Sequence, residues 1–384
     1  MFTSHRHTMN YQEVMETMSL IATPLSLYLM PENYDEEKQK FLSETTYNPQ
    51  FIYRHKKMNI GVFSKLQRLT EISDVDPEVS SYIIQTIQSK KQAAALLDAI
   101  GSDDSFVHIS EARFGKPSYI LFKRACGYLR GYYGDIRLAE REEKLRHKQL
   151  TYTDLVPIFE TVFSLLGLDG WVLEKSKAIA SGGFRTTAKS KRIMVDPDIS
   201  VSAEKLRKTI IHEVGTHALR AHNGFLSGYE VFGKPNLVEY LDDEEGLAMY
   251  NEERFGLLRD VDIKRRSALV YAMYIGIDSS FRKTFNALSS VYPKRNAFDV
   301  VFRVKRGLSN TAHHGCYYRD ASYLRGFIKI RKKLASDSVS YANMYAGKIP
   351  YSHLHLVEEG ILKKPRVVPT EEVVSEIFSK TGLK

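Results

Sequence analysis

The chain has 384 residues, 43% hydrophobic, 11% aromatic and 26% charged, a globular composition that excludes disordered, collagen-like and coiled-coil chains. Lys and Arg number 55 against 46 Asp and Glu, a net charge of +9 that favours acidic partners without choosing among nucleic acid, an anionic membrane and an acidic peptide. Cys126 and Cys316 lie far apart, which excludes a disulfide framework and makes reduced thiols in a cytoplasmic protein the expectation.

The first strongly apolar stretch, residues 18–30, is too short to span a membrane and contains Pro24. It follows Glu13 and Glu16 where a signal peptide would carry basic residues, so it reads as a buried local element. From residue 60 to about 100, apolar residues recur at helical spacing: Val62, Leu66, Leu69 and Ile72, then Ile83, Ile84 and Ile87, then residues 93–97. Residues 101–104, Gly-Ser-Asp-Asp, break that run. A second helix is predicted over 119–129, and residues 138–149 read as charged and solvent-facing. Residues 1–150 are thus expected to form a helical N-terminal region without metal-ligand spacing. No Pro/Gly/Ser-rich linker marks the boundary with 151–384, so the chain also reads as one continuous domain.

Beyond residue 150 the texture changes. A helix over 155–166 ends at Gly167. Short strands at 171–173 and 192–195 flank Ser181-Gly182-Gly183-Phe184-Arg185-Thr186-Thr187, and Asp196-Pro197-Asp198 closes the second strand as a turn. Ser202 is the predicted N-cap of a helix whose apolar stripe is Leu206, Ile210, Val214 and Leu219.

That helix carries His212-Glu213-Val214-Gly215-Thr216-His217. Two imidazoles bracketing a carboxylate follow the logic of a zinc hydrolase, in which neutral imidazoles hold the metal and the glutamate takes a proton from its water. The histidines are five residues apart, about 140° around a regular helix at about 100° per residue. They can share an ion only if the helix carries a one-residue π-type bulge, which Gly215 would ease; otherwise they are two unrelated histidines on a surface helix. A third ligand is expected from residues 241–253, with Glu245 as the choice. Glu244, Asp242 or Glu252 would then accept the free ring N–H of a ligating histidine. The alternative for this segment is a solvated acidic helix start.

The run from His212 to Gly224, with Glu244-Glu245-Gly246-Leu247-Ala248 downstream, resembles the microtubule-associated tyrosine carboxypeptidase family and its bacterial relatives. The relatives are described by a Gln-Glu-Gly-Leu-Ala motif, and Glu244 stands here in place of the glutamine. Asn48-Pro-Gln-Phe-Ile-Tyr53, Phe114-Gly-Lys-Pro-Ser118, Arg306-Gly-Leu308 and Arg319-Asp-Ala-Ser-Tyr-Leu-Arg-Gly326 look like its outer landmarks. By this resemblance His212, His217 and Glu245 hold one Zn2+ and Glu213 is the catalytic carboxylate. The implied activity is removal of a C-terminal residue, tyrosine in the animal members.

Residues 181–187 are expected to lie beside the active-site helix and to pair with substrate as an added strand, with an ordinary loop as the alternative. The substrate carboxylate calls for an arginine: Arg306 first, for its family-like setting, then Arg185 and Arg319, with Arg265 and Arg266 behind them. Tyr323 is a candidate donor to the oxyanion. His313-His314-Gly315-Cys316 reads as a loop rather than a metal site. Gly127 to Gly134 matches no nucleotide-binding fingerprint.

The expected fold is α+β and mostly helical, a zinc metallopeptidase core with a small sheet beside the metal-binding helix and a helical N-terminal part. The expected function is a zinc metallocarboxypeptidase acting on the C-terminal tail of a peptide or protein, acidic in character, with tubulin as partner only where the source organism has it. No nucleic-acid or membrane partner is expected. The competing readings are an aminopeptidase or dipeptidyl-peptidase of the dipeptidyl-peptidase III type, whose site is also similar, and a basic regulatory binding protein with a structural metal site. Retention of Glu213 argues against the last, because a closed structural site takes four protein ligands.

Overall fold

The computed structural model describes residues 7–21, 23–55, 61, 64, 66, 69–130, 149–179, 183–235, 237–335 and 337–383. Its first elements are β1 (His7–Met9), α1 (Tyr11–Ser19), α2 (Tyr34–Ser43), β2 (Leu69–Ile72), α3 (Pro77–Asp98), α4 (Asp103–Phe114) and α5 (Tyr119–Leu129). Next come β3 (Gln149–Thr151), α6 (Tyr152–Leu165), β4 (Val172–Lys175), β5 (Phe184–Thr187), β6 (Arg192–Val195) and β7 (Ser200–Ser202). Then follow α7 (Ala203–Thr209), a π-helical segment (Ile210–Ala218), α8 (Leu219–Phe225), α9 (Val238–Arg254), α10 (Asp260–Gly276), α11 (Phe281–Ser289) and α12 (Lys294–Lys305). The chain ends with α13 (Ala321–Leu334), α14 (Ser338–Asn343) and α15 (Glu371–Lys380). The fold is α+β and mostly helical, and among the described residues no helix is long and apolar enough to cross a membrane.

Helix starts follow the capping chemistry of the sequence. Ser202 accepts from the Lys205 N–H, as predicted, and Asp76 accepts from the Glu78 N–H with Pro77 at the first position of α3. Two expectations fail. Residues 18–30 are not buried throughout, because Leu20, Leu27 and Met30 are exposed. Leu69–Ile72, read as helical from its spacing, is strand β2, paired in parallel with β1. Asp76-Pro77 delays the helix, and a four-residue segment with β-branched Thr70 and Ile72 satisfies its backbone in a sheet instead. Val62, residues 131–134 and 138–148, Ser181 and Gly182 lie outside the described residues.

Two compact units form, one of Met1–Tyr133 and Ile263–Leu324, the other of Gly134–Asp262 and Arg325–Lys384. The first is cored by aromatic rings. Phe41 of α2 meets Phe281 and Phe285 of α11 and Phe298 of α12 at centroid distances of 5.0, 4.9 and 5.2 Å. Two of the outer sequence landmarks, at residues 48–53 and 306–308, meet here. The Phe51 N–H donates to the Ser309 carbonyl and the Gly307 N–H to the Tyr53 hydroxyl, each at 2.8 Å. Gly307 has φ +95°, and a Cβ on it would stand 2.2 Å from the Phe106 ring, so only glycine fits.

In the second unit β3 pairs antiparallel with β7, and a three-stranded sheet runs in the order β4-β6-β5. β4 is parallel to β6 and β5 antiparallel, with Thr186 opposite Ile193, which leaves β5 at an edge. Leu206, Ile210, Val214 and Leu219 are all buried, as the stripe predicts. Helix α9 packs on the π-helical segment, and Gly246 of α9 lies against Gly326 of α13, where either Cβ would collide with backbone. The acidic helix α9 is therefore paired, not solvated. Its Asp242 takes two hydrogen bonds from Arg325, and its Asp243 and Glu253 pair with Lys329 and Arg331, all on α13.

Candidate metal centre

The five-residue histidine spacing meets a helix built to carry it. Residues 210–218 are π-helical, and the Thr216 hydroxyl donates to the Ile211 carbonyl, itself five residues back. Asn251 of α9 donates to the same hydroxyl at 2.7 Å and to the Tyr345 hydroxyl at 2.7 Å, while Tyr341 donates to Asn251 Oδ1 at 3.0 Å. This buried network pins the bulge from outside the helix. Gly215 is not demanded by space, since a Cβ there would meet nothing nearer than 3.7 Å.

The His212 and His217 rings lie 4.8 Å apart and nearly perpendicular, at 83°. Glu245 Oε2 is 3.8 Å from His212 Nε2 and 4.0 Å from His217 Nε2. Among the described residues, these three form the group of His, Cys, Asp and Glu able to hold a metal ion, with donor atoms within 4.8 Å of one another. Two imidazoles and a carboxylate suit zinc and leave one tetrahedral position open. The separations exceed the roughly 3.3 Å that ligand bonds of about 2.0–2.1 Å imply, so the three donors would draw together around an ion.

The far ring nitrogens are held by carboxylates. His212 Nδ1 lies 2.6 Å from Glu252 Oε1, and His217 Nδ1 lies 2.7 Å from Glu244 Oε1. Each carboxylate accepts the Nδ1–H, which turns Nε2, the atom that a metal would take in place of a proton, toward Glu245. Burial alone would lower the His212 pKa. The bond to Glu252 and the charges of Glu252, Glu213 and Glu245 outweigh it and raise the pKa to about 9. Glu244 is buried, which favours its neutral form, but Lys348, Arg220 and His217 beside it hold its pKa well below the carboxylate range.

Glu213 is oriented by the edge strand. The Thr186 N–H donates to Glu213 Oε2 at 2.9 Å, and the Thr186 hydroxyl reaches the same oxygen at 2.6 Å and the Glu213 carbonyl at 2.9 Å. Described from Gly183 onward, the predicted strand beside the helix is β5. Arg185, alternating with Thr186, is exposed on the other face. Arg306 and Arg319 belong to the first unit, where with Arg303 they converge on the fully buried Asp320, at 3.3, 3.8 and 2.7 Å. Tyr323 lies there too, under the Arg266 guanidinium, 3.7 Å from the ring centroid. Cys316 is buried and its thiol pushed up to about 11 by burial, while His313 sits 3.7 Å from Asp103.

Sequence reasoning assigned no role to Thr186, Thr216, Arg220, Asn251 or Lys348. Thr186 lies within the singled-out stretch, and strand alternation could have set it opposite Arg185. Lys348 lies 104 residues from Glu244 and carries no local signal.

The chain matches the family described as Microtubule-associated tyrosine carboxypeptidase over residues 38–377. It is similar to "Microtubule-associated tyrosine carboxypeptidase 1" of Mus musculus, 25% identical over 350 residues, covering 88% of this chain and 63% of that protein. The protein of the same name from Homo sapiens is 25% identical over 347 residues, with the same 88% and 63% coverage. The chain thus spans about 63% of the length of these curated relatives. The match over most of its length shows that the chain belongs to the microtubule-associated tyrosine carboxypeptidase family.

Proposed function

We propose that this protein is a zinc-dependent metallocarboxypeptidase that removes a C-terminal residue, tyrosine by analogy with its named relatives, from a peptide or protein tail. The observation that carries the reading is the convergence of His212 Nε2, His217 Nε2 and Glu245 Oε2, with both Nδ1 atoms held by carboxylates. His212, His217 and Glu245 would hold the ion. When bound, zinc supplies a Lewis acid for the scissile carbonyl and the attacking water.

The remaining chemistry belongs to the chain. Glu213 accepts the proton of the attacking water and returns it to the leaving amine, and Thr186 orients that carboxylate by holding its Oε2. The outer edge of β5 offers backbone groups to an extended substrate running past Glu213. The +9 charge suits an acidic tail, and the membership and relatives' names support a carboxypeptidase over the dipeptidyl-peptidase alternative.

The test is peptide cleavage read by mass spectrometry, with metal-loaded wild type and Glu213→Gln on peptides with free and amidated C-termini. Release of one residue from the free peptide, blocked by amidation and lost in Glu213→Gln, is the expected result. Cleavage of amidated peptides that have a free N-terminus would sink the carboxypeptidase assignment. Absence of stoichiometric zinc in the purified protein would sink the metal assignment.

A further inference from the structure

Each candidate ligand histidine leans on a carboxylate, and each carboxylate has cations behind it, but the two arms differ in construction. Behind His217, Glu244 Oε1 also receives the Lys348 ammonium, and Glu244 Oε2 receives Arg220. Arg220 is fully buried and donates to the Met344 carbonyl at 2.7 Å and the Ile349 carbonyl at 2.6 Å. Lys348 is buried as well, donates to the Tyr240 hydroxyl at 2.8 Å, and has its own N–H bonded to the Phe232 carbonyl at 2.7 Å. Both oxygens of Glu244 are thus fixed by buried cations anchored to residues 344–349. Behind His212 the support is looser. Lys208 stands 3.6 Å from Glu252, beyond hydrogen-bond range, and is drawn instead to Asp262 at 2.7 Å.

We propose that Lys348 and Arg220 are positioning residues for the metal centre, clamping Glu244 so that the His217 ring is held with Nε2 turned toward Glu245 and His212, while Lys208 contributes little of the same kind. The inference rests on the zinc reading above. It goes beyond it by assigning the rigidity of one ligand to two cations in the buried interior. A carboxylate held at both oxygens cannot swing, and neither can the imidazole that donates to it. The geometry at His217 therefore depends on a residue far along the chain, in the short turn around residues 344–348.

The experiment titrates metal-free wild type, Lys348→Met, Lys348→Arg and Lys208→Met with Co2+, read by the ligand-field absorption band, and with Zn2+ against a competing chelator. Far-UV circular dichroism establishes folding. Lys348→Met should bind zinc about tenfold or more weakly and shift the cobalt band, as loss of outer support for a ligand does. Lys348→Arg should recover most of the affinity, and Lys208→Met should stay within about threefold of wild type. Wild-type affinity and an unchanged cobalt band in folded Lys348→Met would overturn the proposal, as would an equal loss in Lys208→Met. Should Lys348→Met not fold, the pair Glu244→Gln/Lys348→Met removes both opposite charges together, and wild-type zinc affinity in that variant overturns the proposal. Wild-type protein that binds neither metal overturns the zinc reading itself, a distinguishable result.

Discussion

Replacing Gly326 by alanine tests whether helix proximity builds the centre. A Cβ at Gly326 would lie 1.9 Å from the Asp242 carbonyl oxygen, and one at Gly246 would lie 2.4 Å from the Gly326 carbonyl. Restoring ordinary contact requires α9 and α13 to part by about 1.5 Å, and overpacking of that kind costs about 1–3 kcal/mol. Separation also pulls Arg325 from Asp242, whose two bonds now measure 2.6 and 2.8 Å, so the total should reach about 3 kcal/mol or more. Because Asp242 lies less than one helical turn from Glu245, zinc affinity should fall with stability. Urea denaturation of metal-free protein and chelator competition measure the two effects. Gly215→Ala is the control: its Cβ would meet nothing nearer than 3.7 Å, and the alanine should leave stability within about 1 kcal/mol of wild type. A Gly326→Ala protein with the wild-type urea midpoint would refute the reasoning, because no neighbouring flexible side chain could have yielded in place of backbone.

Two further outcomes follow from side-chain partners. Thr186→Val keeps the N–H bond to Glu213 but loses the hydroxyl bonds at 2.6 and 2.9 Å, so turnover should fall about tenfold with about 1 kcal/mol of stability lost; unchanged turnover would mean the backbone alone orients Glu213. Burial would raise the Asp262 carboxyl, but Lys208 and Arg259 outweigh it and lower it to about 2. A depressed carboxylate contributes stability above its unfolded pKa and loses it as pH falls through the folded value. Asp262→Asn should therefore cost about 2 kcal/mol at pH 7 and flatten the acid loss between about pH 4 and 2, followed by urea midpoints against pH.

What the sequence made legible was local. The His-Glu-x-x-x-His spacing demanded a bulge, and residues 210–218 form one. Ser202, the Asp196 turn and strand β6 follow from capping, turn and alternation chemistry over a few residues. Leu69–Ile72 departs from the helical expectation because apolar residues three apart fit the helical period and fall on opposite faces of a strand, so only the partner strand reveals the pairing. The supports of the centre were illegible for a different reason. Asn251 and Tyr345 converge on Thr216 through a network assembled only after folding, and Lys348 reaches Glu244 across 104 residues. Gly246 gives no sign in the sequence of its close approach to Gly326, because only the packed helices bring those two backbones together.

The π-helical segment also settles a question of phase. On a regular helix, deleting one residue between His212 and His217 would bring the imidazoles to the same face without any bulge. The π-helical turns absorb the extra residue, so Arg220, three residues past His217, keeps the phase that a regular helix one residue shorter would give it, with its guanidinium on Glu244 and on the carbonyls of Met344 and Ile349. One continuous helix thus keeps its imidazoles facing Glu245 at one end and a buried arginine facing residues 344–349 at the other, with one residue more than those angles require. A regular version one residue shorter would gain the commoner zinc spacing and keep both ends in phase, but it would give up the wide turn in which the Thr216 hydroxyl joins the Ile211 carbonyl to Asn251.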